Sequence, residues 1–187
     1  MPNWPEYIKQ TENKSPRPLL VEALNYVSNK KIALDLGAGA LNDSKYLILL
    51  GFKVVAVDGE ELVKIDSDNF VFNKTKIEDY NFPENTFDLV SAQFVLPFIK
   101  KEDINRVLSD IKRSLKSDGI FTGQFFGDKD SWNKLGHVCV FNSEEVRDLL
   151  SDFEEILIRE EERDGKIASG ETKHWHIFHF IVKNKIN

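Results

Sequence analysis

Ile32-Ala-Leu-Asp-Leu-Gly-Ala-Gly39, with Lys53-Val-Val-Ala-Val-Asp58 after it, decides the fold of this 187-residue chain. Ile32, Ala33, Leu34 and Leu36 form a short apolar run that ends in glycines, the pattern of a parallel strand covered by helices on both faces. Gly37 and Gly39 carry no Cβ, so the backbone can turn through left-handed angles there and let a ligand come close. A helix opening near Asn42-Asp43-Ser44 turns its amide N–H groups toward the same point. Asp58 closes the second strand nineteen positions after Gly39. A carboxylate at that place accepts the hydroxyl protons of a ribose, so the two stretches together imply a cradle for a nucleoside-bearing cofactor.

The third glycine separates the candidate cofactors. A dinucleotide fingerprint, Gly-x-Gly-x-x-Gly, needs its last glycine where this chain has Asn42. Asp35 stands two residues before Gly37, at the carboxyl end of the strand, where it repels a pyrophosphate and attracts an ammonium group. S-adenosylmethionine has a ribose, an adenine and an amino-acid tail, and no phosphate, so it suits the pattern better than NAD.

Leu34-Asp-Leu-Gly-Ala-Gly39, Asp58 and Asn85-Thr-Phe-Asp-Leu-Val90 resemble the class I S-adenosylmethionine-dependent methyltransferases over about residues 30 to 125. Ser44-Lys-Tyr-Leu47, Phe94-Val-Leu-Pro-Phe98 and the short chain are similar to the tellurite-resistance and thiopurine-type small-molecule methyltransferases. The family's usual third glycine of Gly-x-Gly-x-Gly is Leu41 here. The resemblance implies a Rossmann-like α/β fold: seven strands, mostly parallel, with an antiparallel last strand and helices on both faces. It implies S-adenosylmethionine as cofactor and S-adenosylhomocysteine as product. The cofactor's surroundings are then Asp35, Gly37, Ala38, Gly39 and Ser44 at the turn, with Asp58 and Gly59 at the ribose. Ile77 would lie against the adenine, and Glu78 or Asp79 would accept its exocyclic N–H. Gln93 and Phe94, after the fourth strand, border the transferred methyl, and Arg17 can pair with the tail carboxylate or stand exposed on the surface.

Composition narrows the acceptor. A net charge of −6 supplies no basic face for phosphate neutralisation, so nucleic acid is not the expected partner. Ala92-Gln-Phe-Val95 also replaces the Asp/Asn-Pro-Pro-Tyr/Phe pattern of enzymes that methylate exocyclic amines of bases. No run approaches the ~18 apolar residues of a membrane span, and no signal peptide is evident, so no membrane partner is expected and cytoplasm is the expected location. The single cysteine, Cys139, allows no internal disulfide and no cysteine metal cluster. The expected acceptor is a small molecule, with a thiol or a chalcogen oxyanion the leading types, and the protein is expected to be a monomer or homodimer.

The length fits one domain, divided by function into residues 1–29 (N-terminal lid and helix), 30–126 (cofactor-binding core) and 127–187 (substrate-side loop, helix and terminal hairpin). Trp4 and Tyr7 flank Pro5 and serve as anchorage or as a lid. The spacing predicts helices over Leu19–Val27, Asp43–Leu50, Lys101–Leu115 and Asn142–Asp152, the last with a capping box from Asn142 to Glu145. Phe153–Ile158 and Trp175–Val182 read as a hairpin with its turn region around Asp164-Gly165. Lys173-His-Trp-His-Ile-Phe-His179 carries three histidines, but in a strand His174 and His176 share one face and His179 takes the other, so no metal site is expected. His174, His176 and His137, the last in the loop after the fifth strand, are the candidate general bases. A nicotinamide-dependent oxidoreductase and a non-catalytic cofactor-binding module are the alternatives.

Overall fold

The computed structural model describes residues 3–185. Five α-helices and eight strands follow one another along the described residues: α1 (Trp4–Thr11), α2 (Pro18–Ala23), β1 (Ile32–Leu36), α3 (Asn42–Leu49), β2 (Lys53–Asp58), β3 (Phe70–Lys74), β4 (Phe87–Ala92), α4 (Lys101–Ser114), β5 (Leu115–Gly127), β6 (Val140–Phe141), α5 (Ser143–Leu149), β7 (Phe153–Lys166) and β8 (Thr172–Asn184). One sheet holds all the strands in the order β3-β2-β1-β4-β5-β8-β7, and β6 is a two-residue addition beside the end of β5. Neighbours from β3 to β5 run parallel, whereas β8 is antiparallel to both β5 and β7. The expected mostly parallel sheet with an antiparallel last strand is therefore present, with β6 as an eighth strand. Strand order reverses between β1 and β4, which opens a crevice at their carboxyl ends, the place where such sheets take ligands.

Burial explains the two layers. Ala33, Leu34, Asp35 and Leu36 of β1 are all buried, as a strand covered on both faces requires. One face packs on α4 through Ile104, Val107, Leu108 and Ile111, the three-and-four stripe read from sequence. The other packs on α2 and α3 through Leu19, Leu20, Ala23 and Leu47. Seven fully buried phenylalanines, Phe52, Phe87, Phe121, Phe125, Phe126, Phe178 and Phe180, dominate the apolar volume. At about 1.5–3 kcal/mol each for full burial, they outweigh any surface ion pair in holding the sheet between its layers. Asp88 ties layers of the chain together by accepting the Ile32 N–H at 2.9 Å and pairing with Lys116.

Local chemistry sets the element ends. Asn142 caps α5 and Glu145 returns the bond, the capping box the sequence announces. The N-terminal segment forms α1, capped by Asn3 with Pro5 in its first turn. α2 is shorter than the expected helix and stops at Ala23, and residues 59–68 form no helix, in keeping with their short acidic composition.

The terminal hairpin corrects the sequence reading. Asp164 and Gly165 lie inside β7, opposite His174 and Lys173, and the turn falls at residues 167–171, closed by the Ile167 N–H to Glu171 and by the Gly170 N–H to Ile167. Gly170 supplies the turn's left-handed conformation at φ +91°. Gly165 serves packing instead, because a Cβ there would stand 2.2 Å from the Arg163 guanidinium and 3.3 Å from the Trp175 ring. A glycine that punctuates a sequence can thus be a strand residue that makes room for an indole.

Candidate functional site

The glycine turn after β1 is clamped from below and open from above. Gly37 and Ala38 both donate to the Val57 carbonyl of β2, at 2.8 and 3.3 Å. Gly37 sits at φ +66°, and a Cβ there would lie 2.5 Å from the Val95 side chain, so the turn is wedged against the loop after β4. Gly39, at φ +49°, has only the Gly37 carbonyl, at 3.9 Å, near the place of a Cβ. That leaves its outer side free for a close approach. Leu41, where a third glycine would stand, takes the left-handed conformation a glycine would take, φ 60° and ψ 22°, with its side chain fully buried. A non-glycine there costs on the order of 1–2 kcal/mol, offset by burial of the leucine side chain.

Three carboxylates surround the turn. Asp58 accepts the Gly39 N–H at 2.8 Å through one oxygen and the Glu60 N–H at 2.9 Å through the other, so each oxygen retains a lone pair. Burial raises its pKa, and the backbone amides of Glu60, Gly39 and Gly59 offset part of the rise. Asp35 is enclosed and accepts a bond from Ser44 Oγ at 2.6 Å. Burial, then the nearby charge of Asp43, push Asp35 up to about 8. Asp43 itself is raised by burial, against the Arg17 N–H that it accepts at 2.8 Å. A cation brought here returns Asp35 to its ionised form, whereas a pyrophosphate would add to the repulsion.

The other expected cofactor residues divide into those with free polar groups and those whose groups are spent. Ile77 is buried in a single helical turn after β3, with Glu78 beside it half-buried and its carbonyl accepting from Arg106. Gly59 follows Asp58 with open space where a Cβ would be. Gln93 is buried and its amide is engaged, donating to Ser91 Oγ at 3.2 Å and accepting from Gln124 at 2.9 Å. Gln124 then accepts the Phe94 N–H at 2.8 Å. This chain of amides fixes Phe94 in a left-handed conformation, φ 58°, immediately past the end of β4. Strain of that kind gathers where a ligand is handled. The Arg17 guanidinium bonds the Tyr7 hydroxyl at 2.8 Å and lies over the Phe94 ring at 5.1 Å.

Aromatic rings from five distant segments meet beyond Phe94. Trp4 of α1 packs on Phe98, Phe98 on Phe126 and Trp132, and Phe94 on Phe126 and Trp175, with ring centres 4.8–6.4 Å apart. Trp4 thereby brings α1 onto the wall formed by the loop after β4. Behind the wall, the buried Lys173 ammonium pairs with buried Asp130 and lies over Phe126, Trp132 and Trp175. Burial lowers the Lys173 pKa, and Asp130 opposes that shift.

The histidines fall on two faces of β8, as the alternation requires. His174 is bonded to Asp164 and Glu162, which raise its pKa. His176 is buried on the same face, bonded to Glu160 at 2.8 Å and to the Lys129 N–H at 3.2 Å, and packed so closely on Gly127 that a Cβ there would overlap its ring. His137 contacts the Leu135 carbonyl at 3.2 Å in the loop after β5. His179 meets the Phe94 ring at right angles, 6.5 Å between centres, with Nε2 bonded to Glu161 at 2.8 Å. Sequence reasoning passed over His179, Trp175, Lys173 and Asp130. The alternation placed Lys173, Trp175 and His179 on one face, but both faces of β8 carry apolar side chains, so nothing in the pattern marked which one meets the loop after β4.

The family model described as "Methyltransferase domain" matches residues 34–122. The chain is 35% identical over 104 residues to the mitochondrial arginine-hydroxylase NDUFAF5 of Homo sapiens, a match over 53% of this chain and 30% of that protein. It therefore spans about a third or less of the length of the curated relatives it matches. Among solved structures, the 1,6-didemethyltoxoflavin-N1-methyltransferase of Burkholderia thailandensis, solved with 1,6-didemethyltoxoflavin and S-adenosylhomocysteine bound, superposes with a TM-score of 0.73 at 19% identity, over 91% of this chain and 78% of that one. TehB of Haemophilus influenzae gives 0.73 at 18% identity, over 97% and 67%. The fold is that of the class I S-adenosylmethionine-dependent methyltransferases. Residues 34–122, the stretch that the methyltransferase-domain model matches, hold most of β1, all of β2 to β4 and α4, and most of β5, and the Burkholderia structure of this fold carries S-adenosylhomocysteine. No helix among the described residues is long and apolar enough to cross a membrane.

Proposed function

We propose that this protein transfers the methyl group of S-adenosylmethionine to a small acceptor held against the aromatic wall beside Phe94. The observation that carries this is the acidic turn: Asp35, Asp43 and Asp58 surround an open glycine backbone, a donor set that accepts a cationic, ribose-bearing ligand and repels a pyrophosphate. Asp58 holds the ribose hydroxyls with the lone pairs its backbone donors leave free. Gly37, Ala38 and Gly39 let the tail lie against the turn, and Asp35 with Ser44 balances its ammonium. Arg17 faces the tail carboxylate, Gly59 and Ile77 border the nucleoside, and Glu78 or Asp79 accepts from the adenine. Gln93 acts from behind, by fixing Phe94.

The sulfonium of the bound cofactor supplies an electrophilic methyl, so the chain need supply no covalent nucleophile. Its residues align the acceptor and exclude water, which accounts for much of the acceleration such a site can produce. Trp4, docked on Phe98, makes α1 the cover. A small acceptor suits an apolar wall of rings, and the Burkholderia enzyme's bound 1,6-didemethyltoxoflavin supports that size class. Thiols and chalcogen oxyanions enter the acceptor screen, as the sequence resemblance to the tellurite-resistance and thiopurine-type methyltransferases implies.

Calorimetric titration tests this, with S-adenosylhomocysteine in one cell and NAD in the other. Micromolar binding of the first alone is the expected result. Silence with it, beside binding of NAD, would overturn the methyltransferase reading in favour of an oxidoreductase.

A further inference from the structure

We propose that His179, oriented by Glu161, is the general base of this site, and that the acceptor is a planar ring whose N–H or O–H gives up its proton as it takes the methyl. This rests on the methyl-transfer function proposed above and names its acceptor class.

Tautomer logic comes first. Glu161 Oε2 stands 2.8 Å from His179 Nε2, and Arg163 holds the other Glu161 oxygen. Although burial raises Glu161, its hydrogen bonds from Arg163 and His179 keep it below the usual carboxylate range. An ionised carboxylate only accepts, so Nε2 carries the imidazole proton and Nδ1 carries a lone pair. That Nδ1 is buried and has no partner among the described residues. An unpaired buried polar atom costs on the order of 1–3 kcal/mol and calls for an explanation.

Position supplies it. His179 lies on β8 opposite Gln124 of β5, the residue that anchors the Phe94 amide. The charged groups around it are Glu161, Arg159 and Arg163 of β7, and Arg17, which reaches the Phe94 ring from the segment before α2. Burial, helped by the two β7 arginines and opposed by Glu161, pulls the His179 pKa down, so the ring is neutral at pH 7. Trp175 Nε1, a buried donor likewise without a partner among the described residues, belongs to the same face of β8 and packs on the same Phe94 ring. One free lone pair on His179 and one free N–H on Trp175, two rings that both pack on Phe94, complement a flat molecule that presents an N–H or O–H and an acceptor atom. A thiolate would use neither.

The step balances without a further reactant. The acceptor's N or O lone pair forms the bond to the methyl carbon while the carbon–sulfur bond breaks and its electrons pass to sulfur. The acceptor's proton moves to Nδ1, and the imidazolium is stabilised by Glu161 until the proton leaves to water. His174 and His176 lie on the other face of β8, held by Asp164, Glu162 and Glu160, away from Phe94.

The test has three arms. In the first, ¹⁵N NMR of the full chain should find the His179 proton on Nε2 and a titration midpoint below 6.5, falling further in Glu161→Gln and recovering in Glu161→Asp. A proton on Nδ1 at pH 7 would overturn the proposal. In the second, labelled methyl transfer is followed to 4-methylphenol and uracil as ring O–H and N–H probes that stay protonated at neutral pH, and to thiophenol, whose sulfur ionises without help near neutral pH. His179→Asn should lower transfer to the first two by about 10²- to 10⁴-fold, the usual worth of a positioned base. Transfer to thiophenol should fall less than tenfold, and an equal loss on all three would assign His179 to structure. The third arm is S-adenosylhomocysteine affinity. If it binds and neither ring O–H nor ring N–H probe is methylated, the acceptor class proposed here fails alone; if it does not bind, the methyltransferase function fails with it.

Discussion

The two halves of the crevice are built by different means. On the cofactor side, the turn after β1 and the end of β2 come from one stretch of 27 residues, Ile32 to Asp58, and their partners are mostly backbone: Gly37 and Ala38 on Val57, Gly39 and Glu60 on Asp58. On the acceptor side, Trp4, Phe94, Phe126, Trp132 and Trp175 come from five segments spread over nearly the whole chain and touch almost entirely through side chains. The turn is fixed by backbone donors and by three carboxylates that lie close in sequence. The aromatic wall depends on each ring and on the buried ion pair behind it.

Substitutions can break that contrast. The largest expected effect is on the acceptor side. Lys173→Met leaves the buried Asp130 carboxylate without its cation and should cost about 3–5 kcal/mol in urea unfolding, with part regained in the Lys173→Met, Asp130→Asn double variant. A loss below about 1 kcal/mol would show the pair to be expendable. Next comes Gly37→Ala on the cofactor side, where the new methyl meets Val95 and the backbone stands at φ +66°. About 2–3 kcal/mol of stability should go, along with S-adenosylhomocysteine binding. Asp58→Ala should keep the fold by thermal melting and weaken S-adenosylhomocysteine by about 1–3 kcal/mol in calorimetry. Unchanged affinity would remove Asp58 from the ribose.

The smallest effect sharpens the contrast through pH. Asp35 stands at about 8 in the folded chain against 3.8 as an ordinary aspartate, so between those values the folded state holds the extra proton. Stability then falls as pH rises through that window, the sign that follows when the native state binds more protons than the unfolded one. Asp35→Asn should flatten the fall, raising stability at pH 8 and changing it little at pH 4 in thermal unfolding. Cofactor binding should flatten it in the unsubstituted protein, because an ammonium beside Asp35 favours its ionised form. A slope that persists in Asp35→Asn would assign the effect to Asp43 and Asp58, both raised by burial as well.

Much of the fold was legible in the chain. The apolar run before Gly37, the α4 stripe and the Asn142–Glu145 box each state a local geometry that the structure keeps. The hairpin turn was misplaced because glycine carries the same signal whether it supplies a positive φ, as Gly170 does, or empties space for a neighbour, as Gly165 does. Leu41 marks a further limit: its left-handed backbone is held by burial of its side chain, and no propensity of leucine announces it.

The sequence by itself determined the parallel core, the glycine turn and the placing of Asp58 against it, because those rest on strand period, chain stiffness and contacts within a few tens of residues. Only the tertiary structure decided which face of β8 meets Phe94, that Lys173 and Asp130 pair behind the aromatic wall, and that His179 has a buried Nδ1 without a partner among the described residues. Side-chain alternation gives two faces and no direction. The direction is set by which layer of helices each face can bury itself against, and for β8 that became definite only when Phe178, Phe180 and Val182 packed with the α4 layer and Ile181 with the α2 layer.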